Sequence, residues 1–296
     1  MKNFRLKVFL TAANRLSFTK AAKELYISQP AVTKHIVALE KHFNTKLFAR
    51  KGSNIELTEA GKLLQQYGTK IDNIYSLLDF EMGILQNEHK GKLVIGTSTT
   101  MTQYVIPPLM AHFHQKFKNI VIHLVNGNTE QIEKALTGNQ IDLGIIEGQS
   151  KRKDFKYIDF LKDEIVLTAK SSHPLAKKGG VSLTELRSYP LLLREKGSGT
   201  LEVIEYFLKG LNYSITDFNV EMHFGSTEGI KNYILNSNSV AFLSIQSIYN
   251  ELSRNELSII DINELEMIRN FNFIVDKGNT NPLVDLFIQF ALNYNF

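Results

Sequence analysis

Between Phe18 and Phe43 the sequence reads as a short helix, a tight turn and a longer capped helix, and nothing else in the chain constrains its fold as strongly. The first piece, FTKAAKEL over 18–25, puts Ala21, Ala22 and Leu25 on an inner face, with Ser17 or Thr19 as its cap. Two alanines let a neighbouring helix cross closely. Tyr26-Ile27-Ser28 forms the turn. The next helix runs from Gln29 to about Phe43. Ser28 is suited to cap it, and Pro30 falls in the first turn, where a missing N–H costs nothing. Ala31, Val32, Ile36, Leu39 and Phe43 supply its buried side. A helix over 4–13, with Phe4, Leu6, Val8, Phe9, Ala12 and Ala13 at helical spacing, precedes the pair. The pattern predicts a helix-turn-helix. KLFARKGSNIELT then predicts a wing, two short strands around a Lys51-Gly52-Ser53-Asn54 turn.

The charge is divided unevenly. Residues 1–60 hold eleven Lys/Arg against four Glu, which leaves them at +7; a chain of +4 overall leaves the remainder at −3. A small basic module joined to a mildly acidic body points to a polyanionic partner for the module. The exposed N-terminal end of the third helix is where such motifs enter the major groove. Gln29 can pair with adenine edges and Thr33 can meet a base or a thymine methyl. Lys34 and His35 reach bases or phosphate, Ser28 and Pro30 present the helix start, and Arg50 and Lys51 of the wing reach the phosphate backbone.

SFTKAAKELYISQPAVTKHIVALEKHFNTKLFARKGSNIELTEAG resembles the N-terminal winged helix of the LysR-type transcriptional regulators. The match runs from Phe4 to Gly61, with A-A, S-Q-P-A-V, L-E, L-F-x-R and L-T-x-A-G in order at the right spacings. The resemblance implies DNA binding by Gln29, Pro30, Thr33, Lys34 and Arg50. The family commonly has Ser where Thr33 stands, so the hydroxyl is kept.

From Thr58 to about Asn87 there is no proline, and Ala60, Leu64, Tyr67, Ile71, Ile74, Leu78 and Leu85 follow the spacing of a 3.5-residue seam. A helix of about thirty residues would span ~45 Å. It cannot pack against itself, so the seam predicts a homodimer. In the resembled family this helix pairs two subunits, and the resemblance implies a homotetramer.

From 92 onward, strands alternate with helices. LVIGTST, IVIHLVNG and IDLGIIEG are strands, with helices at 105–117 and 129–137. EIVLTAK, YPLLLRE, NVEMHF and SVAFLS follow, with helices at 200–210 and 226–236, then NFNFIVD and a helix over 281–293. This predicts parallel α/β construction. It resembles the periplasmic-binding-protein-like effector domain of the same regulators, which implies two lobes, 91–161 with 268–296 and 162–267, around a cleft hinged near Leu161-Lys162 and Ile268. The organisation expected is thus a winged head over 1–60, a dimerising helix over 58–88 and an effector domain over 91–296.

Ligands in open α/β folds sit at strand carboxyl ends and helix N-termini. That rule selects Ser98, Thr99 and Thr100 after the first strand, Asn128 and Thr129 after the second, and Glu147 at the end of the third. In the other lobe it selects Arg194, Ser198 and Thr200 from REKGSGT, and Ser226. Hydroxyls, free N–H groups and one guanidinium make a site for a small anion. Glu147 is the exception; it can pair with Arg194, hold the hinge closed or accept a ligand proton. REKGSGT, STT and IDLGIIEG look like the branch associated with sulfur assimilation and carbon fixation, which implies a sulfur oxyanion or a small phosphorylated or carboxylic metabolite. That branch often has Gly where Thr102 or Gln103 falls and Arg after GSGT, where this chain has Leu201. A lost cation argues against a strongly charged phosphorylated ligand.

Other chemistry is not expected. There is no cysteine, His112 and His114 point to different faces of a helix, and no histidine lies near Ser198 to activate it. No phosphate-loop motif occurs around Lys62 or Gly197. No metal, cofactor, secretion signal or membrane span is expected, and the cytoplasm is the expected compartment. The reading is therefore a ligand-controlled DNA-binding regulator with a duplex operator and a small anion as partners and RNA polymerase as a further candidate. The alternative is a solute-binding or enzymatic α/β protein with an N-terminal assembly module.

Overall fold

The computed structural model describes residues 3–51, 54–85, 90–149, 151–263, 265–278 and 281–296. The chain folds as two units, Met1–Gly91 with Asn281–Leu283 and Lys92–Thr280 with Val284–Phe296.

The first unit holds α1 (Phe4–Arg15), α2 (Phe18–Glu24), α3 (Gln29–Phe43), β1 (Phe48–Lys51), β2 (Asn54–Leu57) and α4 (Glu59–Leu85). Side-chain caps start each of the first three helices: Asn3 accepts from the N–H groups of Arg5 and Leu6, Ser17 from Lys20, and Ser28 from Ala31. Ser17, not Thr19, caps α2. The core beneath them is Val8, Phe9, Ala12, Ala21, Ala22, Val32, Ile36 and Leu47. Phe43 is a correction. It is 48% exposed, because the chain leaves α3 at Asn44 with a left-handed φ of 49° and Leu47 fills the core instead.

Glu40 closes the turn after α3. Its carboxylate accepts from Leu47 N at 3.0 Å and from Lys46 Nζ at 2.7 Å. Burial alone would raise this carboxyl, but the Lys46 and Leu47 bonds together hold it below the usual value. A lowered folded value stabilises above the usual carboxylate range and is lost as pH falls through the lowered one. Glu40→Gln should therefore cost about 1–3 kcal/mol at neutral pH. The difference from wild type should shrink in acid, as read by denaturant unfolding at the two pH values; an equal cost at both would remove this role.

Gly61 shows why the motif needs glycine: a Cβ there would lie 2.1 Å from Leu47 O. Thr58 Oγ1 accepts from Gly61 N and donates to Lys46 O, which fixes the start of α4 against β1. Ala60 and Leu64 pack on the head's own core, so the first turn of the seam is used there. Beyond it Tyr67, Ile71, Ile74, Leu78 and Met82 are exposed along α4, Ile74 to 63%. The side chain of Leu85 and residues 86–89, where the helix was expected to continue, lie outside the described residues.

In the second unit the chain runs β3 (Gly91–Ser98), a π-helical turn (Met101–Val105), α5 (Ile106–Lys116), β4 (Ile120–Gly127), α6 (Thr129–Thr137), β5 (Leu143–Glu147) and β6 (Phe155–Lys170). It continues with α7 (Leu183–Leu186), β7 (Leu191–Arg194), α8 (Gly199–Gly210), β8 (Val220–Phe224), α9 (Thr227–Leu235) and β9 (Val240–Ser244). It ends with α10 (Ile245–Ser253), β10 (Leu257–Ile260), β11 (Met267–Asp276) and α11 (Pro282–Leu292). Strand order is β4-β3-β5-β11-β6-β9-β7-β8, with β10 beside β6.

The sheet is mixed, which corrects the parallel expectation. β3 with β5, and β7 with β8 and β9, are parallel. β6 and β11 run antiparallel to each other along their whole shared length and belong to both lobes. Their register shifts between Phe271, opposite Leu161, and Asn272, opposite Asp159. One lobe is filled by Phe113, Phe273, Phe287 and Phe290 in edge-on contacts, the other by Leu191, Leu193, Val203, Ile204 and Phe242. No helix among the described residues is long and apolar enough to cross a membrane.

Candidate functional site

On the head, the start of α3 is exposed at Ser28, Gln29, Pro30 and Lys34, with Thr33 half-buried. Ser28 Oγ is engaged in capping Ala31 N at 3.3 Å. Gln29 Nε2 donates to Thr33 Oγ1 at 3.1 Å, so the two polar groups meet on one face, pre-positioned as a pair. The His35 ring packs edge-on against Phe4, 5.3 Å between centroids, which turns it toward α1. Arg50 and Lys51 lie in β1, but their side chains, and the tip residues 52 and 53, lie outside the described residues.

In the second unit the strand ends meet. Thr99, Thr100, Thr129, Arg194, Ser198, Thr200 and Glu147 are all buried, and so is Ser98. Ser98 Oγ has no hydrogen-bond partner among the described residues. Arg194 is the centre of one group. Its Nε and Nη2 donate to the Glu195 carboxylate at 2.8 and 3.1 Å, Nη1 to Thr227 Oγ1 at 3.2 Å and Nη2 to Thr99 Oγ1 at 3.5 Å. The Glu195 carboxylate also accepts from Asn128 Nδ2 at 3.2 Å, across the lobes. Burial alone would raise the Glu195 carboxyl; Arg194 and Asn128 hold it below the usual value. Asn128 keeps a capping box with Gln131, and Glu130 N donates to Gly197 O at 3.1 Å.

Glu147 does not pair with Arg194. Its partner cation is Arg269 of β11, at 3.8 Å, and its Oε1 accepts from Thr200 Oγ1 at 3.5 Å. Arg269 itself donates from Nε to Asp163 Oδ2 at 2.7 Å and from Nη1 to Thr200 at 2.9 Å. Glu147 Oε2 has no partner among the described residues. Thr129 Oγ1 donates to Glu147 O at 2.7 Å. Gly199 is packed so tightly that a Cβ would lie 2.0 Å from Glu147 O, which explains the glycine at the start of α8. Ser198 precedes that helix without a side-chain capping bond, and Ser226 caps α9 through Gly229 N.

Sequence reasoning missed a second bridge between the lobes. Tyr104, in the π-helical turn, donates its hydroxyl to Glu228 on α9. Burial, then the Glu228 bond, push the Tyr104 hydroxyl far above its ordinary value, so it stays a proton donor. Lys231, buried beneath, pairs with Glu228 and Glu251 at 2.8 Å each and lies 5.0 Å from the Tyr104 ring centroid. Thr102, at a position where the branch often has glycine, bonds the Thr97 hydroxyl through its own and donates to Ser98 O. An open pocket of about 700 Å³ reaches the cleft from one side, lined by Thr129, Lys196, Ser198, Leu201 and Glu202. Of the remaining predicted residues, Ser98, Thr99, Thr100, Glu147, Arg194 and Thr200 are buried, whereas Asn128 and Ser226 are half-buried.

Two family models cover this chain: the bacterial regulatory helix-turn-helix protein of the lysR family over residues 4–62, and the LysR substrate binding domain over 86–295. The chain belongs to the LysR family. The HTH-type transcriptional regulator CysL of Bacillus subtilis is 32% identical, covering 91% of this chain and 89% of that protein. A probable RuBisCO transcriptional regulator of Cyanidium caldarium is 33% identical, covering 88% and 83%. Among solved structures, the Synechocystis PCC6803 CcmR regulatory domain in complex with 2-PG is 29% identical with a TM-score of 0.61, covering 68% of this chain and 98% of that one. These relatives match the branch to which the strand-end motifs were assigned. Membership decides between the two readings of the sequence: this LysR protein is a transcriptional regulator with an effector-binding domain, not an enzyme.

Proposed function

We propose that this LysR-type regulator binds a duplex operator through the start of α3 and the wing, and is controlled by a small anion held between the lobes. The head is 1–60, α4 belongs to a dimerising helix over 58–88, and the effector domain is 91–296, with lobes 91–161 plus 268–296 and 162–267 hinged near Leu161-Lys162 and Ile268. Gln29 and Thr33 read bases, Lys34 and His35 reach bases or phosphate, Ser28 and Pro30 present the helix start, and Arg50 and Lys51 hold the backbone. The exposed apolar stripe of α4 pairs two chains, and two such dimers form a tetramer that engages RNA polymerase in the cytoplasm.

The observation that carries the effector reading is the buried Ser98 hydroxyl, without a partner among the described residues, at the head of the Thr99-Thr100 turn that Arg194 reaches through Thr99. A lone buried hydroxyl lacks the partner that such groups ordinarily have. Glu195 gives the second support. Its carboxylate, held by Arg194 from one lobe and Asn128 from the other, occupies the position that a ligand oxyanion takes, so the effector enters by displacing it. Such exchange shifts the lobes only through differential affinity for the two arrangements. The CcmR regulatory domain, solved in complex with 2-PG, supports a small anion; a sulfur oxyanion or a carboxylic metabolite fits the same donors.

A thermal-shift screen of small anions tests this. Ser98→Ala and Thr100→Ala should each weaken the responding anion by about tenfold, roughly one lost hydrogen bond to a charged group, and leave DNA binding intact. Wild-type affinity in both variants would remove these residues from the pocket.

A further inference from the structure

We infer that Val37 reads a thymine methyl, as a further specificity-determining residue of α3; the inference rests on the proposed placement of that helix in the major groove. Val37 lies in the third turn of α3 and is 51% exposed, while Val32, Ile36 and Leu39 of the same helix are buried in the head's core. Among the described residues, Val37 belongs neither to that core nor to the half-buried side chains packed against it. A single exposed apolar side chain is ordinary on a protein surface. What gives this one a role is its position.

Three features define that position. First, Pro30, Lys34, Val37 and Lys41 are all exposed, and their 4-3-4 spacing makes them one stripe of the helix. Second, Pro30, Thr33, Lys34 and Val37 stand at i, i+3, i+4 and i+7, the spacing at which a reading helix presents side chains to base edges. Val37 is four residues past Thr33, about 6 Å along the axis at ~1.5 Å per residue. That is roughly two base-pair steps at ~3.4 Å each. Third, Val37 stands between two exposed lysines, Lys34 and Lys41, which are suited to phosphates, and itself offers neither donor nor acceptor. The apolar feature of a major-groove edge is the C5-methyl of thymine. Any other edge under an isopropyl group would lose water from its amine, carbonyl or ring nitrogen without gaining a partner. Val37 therefore favours thymine beneath it and disfavours the other bases. Branching at Cβ holds its two methyls in one preferred rotamer within a helix, so the contact surface is preset.

The full chain is used to select duplexes from a random pool, and the enriched site is titrated by fluorescence anisotropy. Each thymine of that site is replaced in turn by deoxyuridine, which removes only the methyl. At least one replacement should weaken the wild-type chain about fourfold, the equivalent of one buried methyl group. Val37→Ser, at an exposed position and of nearly equal helix propensity, should weaken the unmodified site by about the same factor and be insensitive to that replacement. Val37→Ile, which keeps the apolar contact, should keep the sensitivity. Undiminished sensitivity to every methyl in Val37→Ser, or wild-type affinity of that variant, overturns the inference. Failure of the underlying placement looks different. A pool that enriches no sequence removes base reading by α3 altogether, and this contact with it; an enriched site that Gln29→Ala weakens but Val37→Ser does not removes Val37 alone.

Discussion

Arg269→Met should destabilise the two-lobed unit by about 3–5 kcal/mol, because it strips a fully buried cation from between two buried carboxylates. The arginine is held by Asp163 at 2.7 Å and donates to Thr200 at 2.9 Å, while Ser244 Oγ donates to the other Asp163 oxygen at 2.8 Å. Those groups come from β6, α8, β9 and β11, so the network joins elements of both lobes. Its net worth against an apolar replacement is another matter. Burying three charges is expensive, and Arg269→Met with Asp163→Leu should recover part of the loss. Denaturant unfolding of the single and double variants gives both numbers. A single variant within about 0.5 kcal/mol of wild type would mean that the network adds nothing.

Gln29→Ala is the second large effect. Gln29 is exposed at the start of α3 and its amide is already oriented by Thr33, so little freedom is lost when it meets a base. A bidentate base contact is worth about 1–3 kcal/mol of discrimination. Specific operator affinity should therefore fall by roughly tenfold to a hundredfold, while affinity for unrelated duplex is unchanged. Equal losses on both DNAs would make Gln29 a backbone contact.

The head was legible because its information is local. Ser17, Ser28 and Asn44 start and stop helices through bonds within a few residues, and Gly61 is forced by one close backbone approach. The cleft was legible only in outline. The rule that ligands sit at strand ends selects Ser98, Thr99, Thr129, Arg194 and Thr200, all of them buried in the structure, but it does not pair charges. Glu147 met Arg269, more than a hundred residues away, and Arg194 met its own neighbour Glu195. Arg269 was invisible because it interrupts an apolar strand, where a lone cation looks like an exposed residue. The first half of β6, FKYIDFLK, escaped because its alternation is masked by charges on the open face. Helix α10 escaped because a serine-rich start, SIQS, reads as loop; there Ser244 is bound to Asp163 and Ser247 to Ser244 O. Tyr104 was missed because the π-helical turn that aims it at Glu228 has no sequence signature of its own.

The central claim, a basic head that engages duplex DNA, is tested most directly by fluorescence anisotropy of the purified chain on a duplex from upstream of its own gene, titrated across salt concentrations. The account predicts binding whose logarithm falls linearly with that of the salt concentration, with Lys34→Ala lowering the slope by about one. No binding in dilute buffer, or a slope unmoved by loss of Lys34, would contradict it.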